Sequence, residues 1–284
     1  MHRIEIHFGT EHRTYALPGA WDEVTTTTLP AVAAIVGTTT DETLARIALF
    51  QALTGVPDAV ILHPHLVEEL VMPRPEDPRK PLQEPVGLLP QLDWAFTEPA
   101  YRNSLLPTLH HNGIDYAGPS NGLDGWILNR WCFVYTCLRN YQEAKDAAER
   151  RTTLNLFLGA LYQPADQPWS NEHIERHAEA LATLDPAIKA AALLNYQAIH
   201  RQLTSSYHRV FAPANPGDEA SPLGVFGTVY DVAKSGVFGD IQRTEGSDLH
   251  KVMGYLEHSL HQQNQQEAEA ERARIAAARA ATHH

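Results

Sequence analysis

The sequence predicts a mainly α fold (α+β): a helical bundle that opens on a β-hairpin and closes on one long C-terminal helix. Three observations carry that expectation. Apolar and polar residues alternate through residues 2–8, the two-residue period of a strand. Beyond Trp21 the apolar residues recur at three- and four-residue steps, the period of an amphipathic helix. Capping and breaking residues fall between those helical segments.

In the opening strand Ile4, Ile6 and Phe8 share one face, with Arg3, Glu5 and His7 on the other. Residues 9–12 can turn and residues 13–17 can pair back, after which Pro18-Gly19 ends the hairpin. An isolated hairpin is marginal, so Trp21 is expected to clamp it to the helices. Thr28 with Pro30 starts a helix that runs to about residue 36. Thr39-Thr-Asp-Glu42 has the capping-box pattern ahead of Leu44, Ile47, Ala48, Phe50 and Leu53, and Gly55 stands where a C-terminal cap belongs. Short helical pieces are expected over 58–62 and 66–71. Pro73, Pro75, Pro78, Pro81, Pro85 and Pro90 then impose an extended loop.

The turn-rich segment 112–122 leads into a long helix expected over 123–150, with Ile127, Trp131, Val134, Leu138 and Tyr141 as its apolar stripe. A second helix over 152–162 carries Leu154, Phe157, Leu158 and Leu161. Ser170 or Asn171 caps a third that reaches residue 184, and Pro186 opens a fourth to about residue 210. A loop follows over 213–224, then two short helices flanking Gly236 and Gly239. The final helix starts near Ser247 and can reach Ala281, roughly 50 Å at about 1.5 Å per residue. Its stripe of Leu249, Val252, Met253, Leu256 and Leu260 gives out before residue 262. The division expected is therefore a hairpin with short helices (1–72), a proline-rich loop (73–92), a helical domain (93–261) and a polar tail, helical or disordered (262–284).

Composition narrows the function classes. The 284 residues carry a net charge of −12, so no basic surplus exists to displace counterions from nucleic acid or to bind an anionic membrane. No apolar run approaches the length of a spanning helix, and the first residues lack a signal peptide's apolar core. A cytoplasmic protein is expected. Cys132 and Cys137 are too few for a disulfide framework or a four-cysteine zinc site and read as buried thiols.

Two local patterns suggest chemistry. Gly118-Pro-Ser-Asn-Gly122 matches the nucleophile elbow of serine hydrolases, but that elbow belongs to a parallel sheet, which this chain lacks the alternating strand–helix units to build. The competing reading is a turn in which Ser120 or Asn121 caps the long helix. His173 and His177 stand four apart on one helix face, a spacing that can hold zinc with Glu172 or Glu175 as base or third ligand. The zinc-protease pattern needs glutamate directly after the first histidine, where Ile174 stands, so an exposed polar face is the better reading. His63-Pro-His65 and His110-His111 are weaker still. No phosphate-cradling glycine loop occurs. Trp126, Trp131, Phe133 and Tyr135 read as core or subunit-contact residues rather than a base-stacking platform. No catalytic, cofactor-binding or metal residue is assigned.

Four blocks taken together carry a resemblance. They are Leu17-Pro-Gly-Ala-Trp-Asp-Glu-Val-Thr25, Asn112-Gly-Ile-Asp-Tyr-Ala-Gly-Pro-Ser120, Leu158-Gly-Ala-Leu-Tyr-Gln-Pro164, and the stretch 226–256. In that order they span most of the chain, and they resemble proteins of phage and prophage tail gene modules. The alanine-, histidine- and glutamine-rich end departs from that pattern. The resemblance implies a tail assembly protein, chaperone-like, that binds the tape-measure or tail-tube protein. It also admits a minor tail or connector subunit of the virion. It supplies no catalytic residues.

Overall fold

The elements follow in an order that local chemistry largely explains. The computed structural model describes residues 2–8, 11–39, 41–56, 89–99, 101, 103–212 and 223–282. In chain order these form strands β1 (His2–Phe8) and β2 (Glu11–Leu17), helices α1 (Leu29–Thr38) and α2 (Glu42–Thr54), and strands β3 (Thr108–His111) and β4 (Ile114–Ala117). Then come helices α3 (Leu128–Glu143), α4 (Ala147–Leu161), α5 (Ile174–Ala180), α6 (Pro186–Ser206), α7 (Phe226–Lys234), α8 (Ile241–Glu245) and α9 (Leu249–Thr282). The fold is mainly α, with an N-terminal β-hairpin and a long C-terminal helix, as the periodicities predict. The helical pieces expected over 58–62 and 66–71, the proline-rich stretch up to residue 88, His63 and His65, and residues 213–222 lie outside the described residues. The chain divides into two compact units, residues 1–122 with 180–200, and residues 123–179 with 201–284.

In the first unit β1 and β2 pair antiparallel from His2 opposite Leu17 to Phe8 opposite Glu11. Trp21, the residue expected to clamp the hairpin, is buried beside a 3-10 helix. Trp21 is 4% exposed and meets Trp94 edge-on with ring centres 5.0 Å apart. The Trp94 indole donates to the Pro18 carbonyl at 2.8 Å, and the Trp21 indole to Thr97 O at 3.3 Å. Trp21 thus buries its ring and Trp94 half-buries its own, while both N–H groups stay satisfied. Trp94 belongs to a 3-10 helix, Leu89–Phe96, that turns Leu89, Leu92 and Ala95 inward. Residues 89–92 were expected in the extended loop; Pro90 is accommodated because it stands in the first turn, where an amide is not needed.

Helix α2 is capped by Asp41 rather than Thr39. Asp41 Oδ1 accepts from the Thr43 and Leu44 amides at 2.9 and 3.0 Å, while Thr39 closes α1 by donating its amide to Ile35 O. Strands β3 and β4 form a second hairpin, closed by Asn112 and Gly113 with φ of 51° and 77°, the two-residue turn that suits the twist of paired strands. Buried Asn195 of α6 holds the segment ahead of it, accepting from the Leu105 amide at 2.8 Å and donating to Ser104 Oγ at 3.1 Å.

In the second unit the helix expected over 123–150 is two helices. Asp146 accepts from the Ala148 and Glu149 amides at 2.9 and 2.8 Å, and Glu149 reaches back to the Lys145 amide at 2.8 Å. That reciprocal cap starts α4 and ends the run of α3 at Glu143. Helix α3 turns Leu128, Trp131, Cys132, Val134 and Leu138 inward, and α4 buries Phe157, Leu158 and Leu161. At Gly159, α4 touches the backbone of α5: a Cβ there would meet Ile174 O and stand 2.6 Å from Ala178 N. Neither Ser120 nor Asn121 caps α3. Its N-cap is Ile127, and the Leu128 amide donates to Ser247 O at 2.9 Å while the Leu249 amide donates to Trp126 O at 2.8 Å. A backbone bridge therefore joins the starts of α3 and α9. Between α7 and α8 the chain turns through Gly236 and Gly239, with φ of 74° and 91°, values that residues with a Cβ rarely adopt.

Candidate functional site

The elbow motif does not assemble as a nucleophile. Strand β4 precedes it, but its partner β3 runs antiparallel, and the positive-φ positions are Gly122 (58°) and Leu123 (67°) rather than Ser120. A nucleophile elbow puts the strain on the serine. Ser120 is half-buried, and its neighbour Asn121 accepts from the Ser104 amide at 2.7 Å, which fastens the turn.

His173 and His177 do come together, with ring centres 5.9 Å apart. His177 is 3% exposed, so the exposed-face reading fails for it. Burial, then the charges of Arg176 and His173, holds its imidazole below the ordinary value. The Arg176 guanidinium lies 3.5 Å from His177 Nε2, a fixed positive charge where a cation would have to sit. Glu172 and Glu175 face solvent, and no group of three or more metal-ligating side chains gathers among the described residues. His110 and His111 take part in hairpin contacts instead. His110 Nδ1 meets Asp115 Oδ1 at 2.7 Å across the strands, and His111 Nε2 meets Thr183 Oγ1 at 3.0 Å.

Cys132 is fully buried and Cys137 partly so. Burial, with a contribution from the Glu245 charge, pushes the Cys132 thiol up to about 12, and burial pushes Cys137 to about 11. Both stay protonated near neutral pH, which makes them poor nucleophiles and poor ligands. The aromatic residues of α3 pack together: Trp131 stacks on Tyr135 at 5.4 Å, and Phe133 meets Phe226 edge-on at 5.2 Å. Trp126, just before α3, lies beneath the Arg130 guanidinium at 4.1 Å.

Spacing along the chain gave no sign of two further arrangements. In the first, the Tyr207 hydroxyl stands 2.9 Å from His250 Nδ1, and His250 Nε2 lies 3.6 Å from Asp124 Oδ1. Hydroxyl, imidazole and carboxylate in that order resemble an activated nucleophile. The direction of titration opposes it. Burial, then the charges of Asp248 and Asp124, raises the Tyr207 phenol above its ordinary value, so it keeps its proton. The cluster ties the turn after α6 to α9. Glu257 does the same about two turns further along α9, accepting from the Arg209 side chain at 2.7 Å and from the Arg209 and Val210 amides at 2.9 and 3.2 Å.

The second arrangement is a groove of about 550 Å³ lined by Tyr230, Ala233, Lys234, Asp240, Ile241 and Gln242. Helices α7 and α8 build it, and the glycine turn between them sets their approach. Of the seven strongly exposed large apolar residues among the described residues, four fall between residues 223 and 241: Leu223, Tyr230, Val237 and Ile241. Val237 at the turn is 58% exposed, while neighbouring Val229 and Val232 on the inner face of α7 are 1% exposed. The chain thus presents apolar groups outward beside a helix already fully seated, with Lys234 and Asp240 as polar rim. That arrangement suits docking of another apolar surface. No described helix is long and apolar enough to cross a membrane. Comparison with family models, curated proteins and solved structures finds no match to this chain.

Proposed function

We propose that this chain is a phage or prophage tail assembly protein that acts by protein–protein binding, as a tail assembly chaperone does. The observation that supports the reading is the outward-facing apolar groove of α7 and α8. The groove lies within the stretch 226–256, the last of the four blocks that resemble tail-module proteins. In this reading an apolar helical segment of an unassembled tape-measure or tail-tube protein lies along Tyr230 and Ile241, and Lys234 and Asp240 set its register. The protein works in the cytoplasm of the bacterial host, before the tail closes.

The test is co-expression with the tape-measure and tail-tube proteins of a tail module. The native chain co-purifies with one of them and raises its soluble yield. A Tyr230→Asp, Ile241→Asp double variant keeps its circular dichroism and loses that partner. Binding that survives the double variant overturns the groove, and failure to bind either protein overturns the partner class. Mass spectrometry of purified particles then separates two roles. Stoichiometric copies in the particle mark a minor tail or connector subunit, and a chain confined to the lysate marks a chaperone. A serine or zinc hydrolase would instead show an activity lost in Ser120→Ala or His173→Ala.

A further inference from the structure

Residues 262–275 of α9 are exposed throughout. All carboxylates in this part of the helix precede all its guanidiniums: Glu267, Glu269 and Glu271, then Arg272, Arg274 and Arg279. Within the helix, Glu271 pairs with Arg274 at 3.1 Å and Gln263 donates to Glu267 at 2.9 Å. Neither contact neutralises Glu267 or Glu269, or balances Arg272.

Helical geometry makes this block pattern self-complementary. Glu267 and Arg274 are two turns apart, so they share one face about 10.5 Å from each other. Ala270 and Glu271 lie midway on that face, and the alanine leaves room for a second backbone. A second identical helix laid antiparallel, with its two-fold axis between residues 270 and 271, puts Glu267 opposite Arg274 of the second copy, and Arg274 opposite its Glu267. Glu269 and Arg272 lie about 150° around the helix from that face, on its outer side, and take no part in the contact. A parallel arrangement sets like charges together and is disfavoured. Ile275, 44% exposed, stands beside Arg274, where a facing helix covers it. We propose that α9 is a homotypic docking surface, pairing antiparallel with α9 of a second copy of this chain through Glu267 and Arg274. Such a contact is isologous and closes at two copies. It does not depend on the tail role.

The experiment uses the full chain and light scattering after size exclusion. At low ionic strength the native chain has the mass of two copies. In about 1 M salt, where the Debye length falls to about 3 Å, it has the mass of one. Glu267→Arg and Arg274→Glu each weaken self-association by about tenfold or more. Each single variant then carries one sign of charge at both positions, so mixing the two restores pairing, between unlike copies only. Both changes are on an exposed face, and unchanged helical circular dichroism shows that the fold is kept. A native chain that stays single up to about 1 mM at low salt overturns the proposal. So does a dimer that ignores both reversals, or a mixture of the two variants that stays single.

Discussion

Helices α4–α5 and helices α7–α8 both meet near glycine, and they need it for opposite reasons. At Gly159 the requirement is space, since a Cβ would stand 2.6 Å from Ala178 N and 3.0 Å from its Cα. At Gly236 nothing lies within 4 Å, and the requirement is the backbone angle alone. The apolar residues divide in the same way. Phe157, Leu158 and Leu161 are wholly buried, whereas Tyr230, Val237 and Ile241 are 40–58% exposed. A glycine forced by contact marks an interior that is finished within the chain. One that serves only to turn it leaves the neighbouring apolar groups free to face a partner.

The sharpest way to break this contrast is to empty the closed side. Phe157→Ala should cost about 3–5 kcal/mol in urea denaturation. A cost below about 1 kcal/mol would mean that α4 is not a core helix. Gly159→Ala should cost about 1–3 kcal/mol, because backbone rather than a flexible side chain must give way.

A third measurement probes the underside of the open pair, where Cys132 of α3 feels the charge of Glu245 of α8. The folded state holds the Cys132 proton up to about pH 12, while the unfolded thiol releases its proton above its ordinary value of 9.0. Stability is therefore complete below pH 9 and falls as pH rises past it, by up to about 1.4 kcal/mol per pH unit for one proton. Cys132→Ala should flatten that decline, and at pH 8 alkylation of the folded chain should run more than about a hundredfold slower than in urea. The smallest expected effect is the most telling. Ile241→Asp should change stability by no more than about 0.5 kcal/mol, because the side chain already faces water. A large loss would place Ile241 in the core and close the groove.

What was legible in the sequence was local. The opening alternation, the Thr28–Pro30 start, Gly55, and the Gly236–Gly239 turn between two helices each depend on neighbours within a few residues, and all are present. Some local signals were present but outvoted. Asn112-Gly113 is a strong hairpin pair that reads as one more turn residue in a turn-rich segment. Asp146 with Glu149 is a helix start hidden inside a continuous run of helix formers. At Asp41 a carboxylate displaced the threonine expected to cap, being the stronger acceptor for two amides.

The site was less legible, for a physical reason. Asp124, Tyr207 and His250 meet only through tertiary packing, so no spacing relates them. The groove escaped because Val229 and Tyr230 are adjacent apolar residues, one 1% and the other 42% exposed, and periodicity alone does not say which face of a short helix is already covered. His173 and His177 were correctly placed side by side, yet the burial of His177 depends on neighbours distant in sequence.

The backbone bridge at the root of α9 has a consequence for what the chain tolerates. Both of its bonds join main-chain atoms, Leu128 N to Ser247 O and Leu249 N to Trp126 O, so ordinary side-chain drift leaves the joint standing. Proline is the exception. A helix usually welcomes that residue at its first position, where the amide is idle. Here the amides of Leu128 and Leu249 are both in use, and an imino acid at either would unfasten the longest helix at its base.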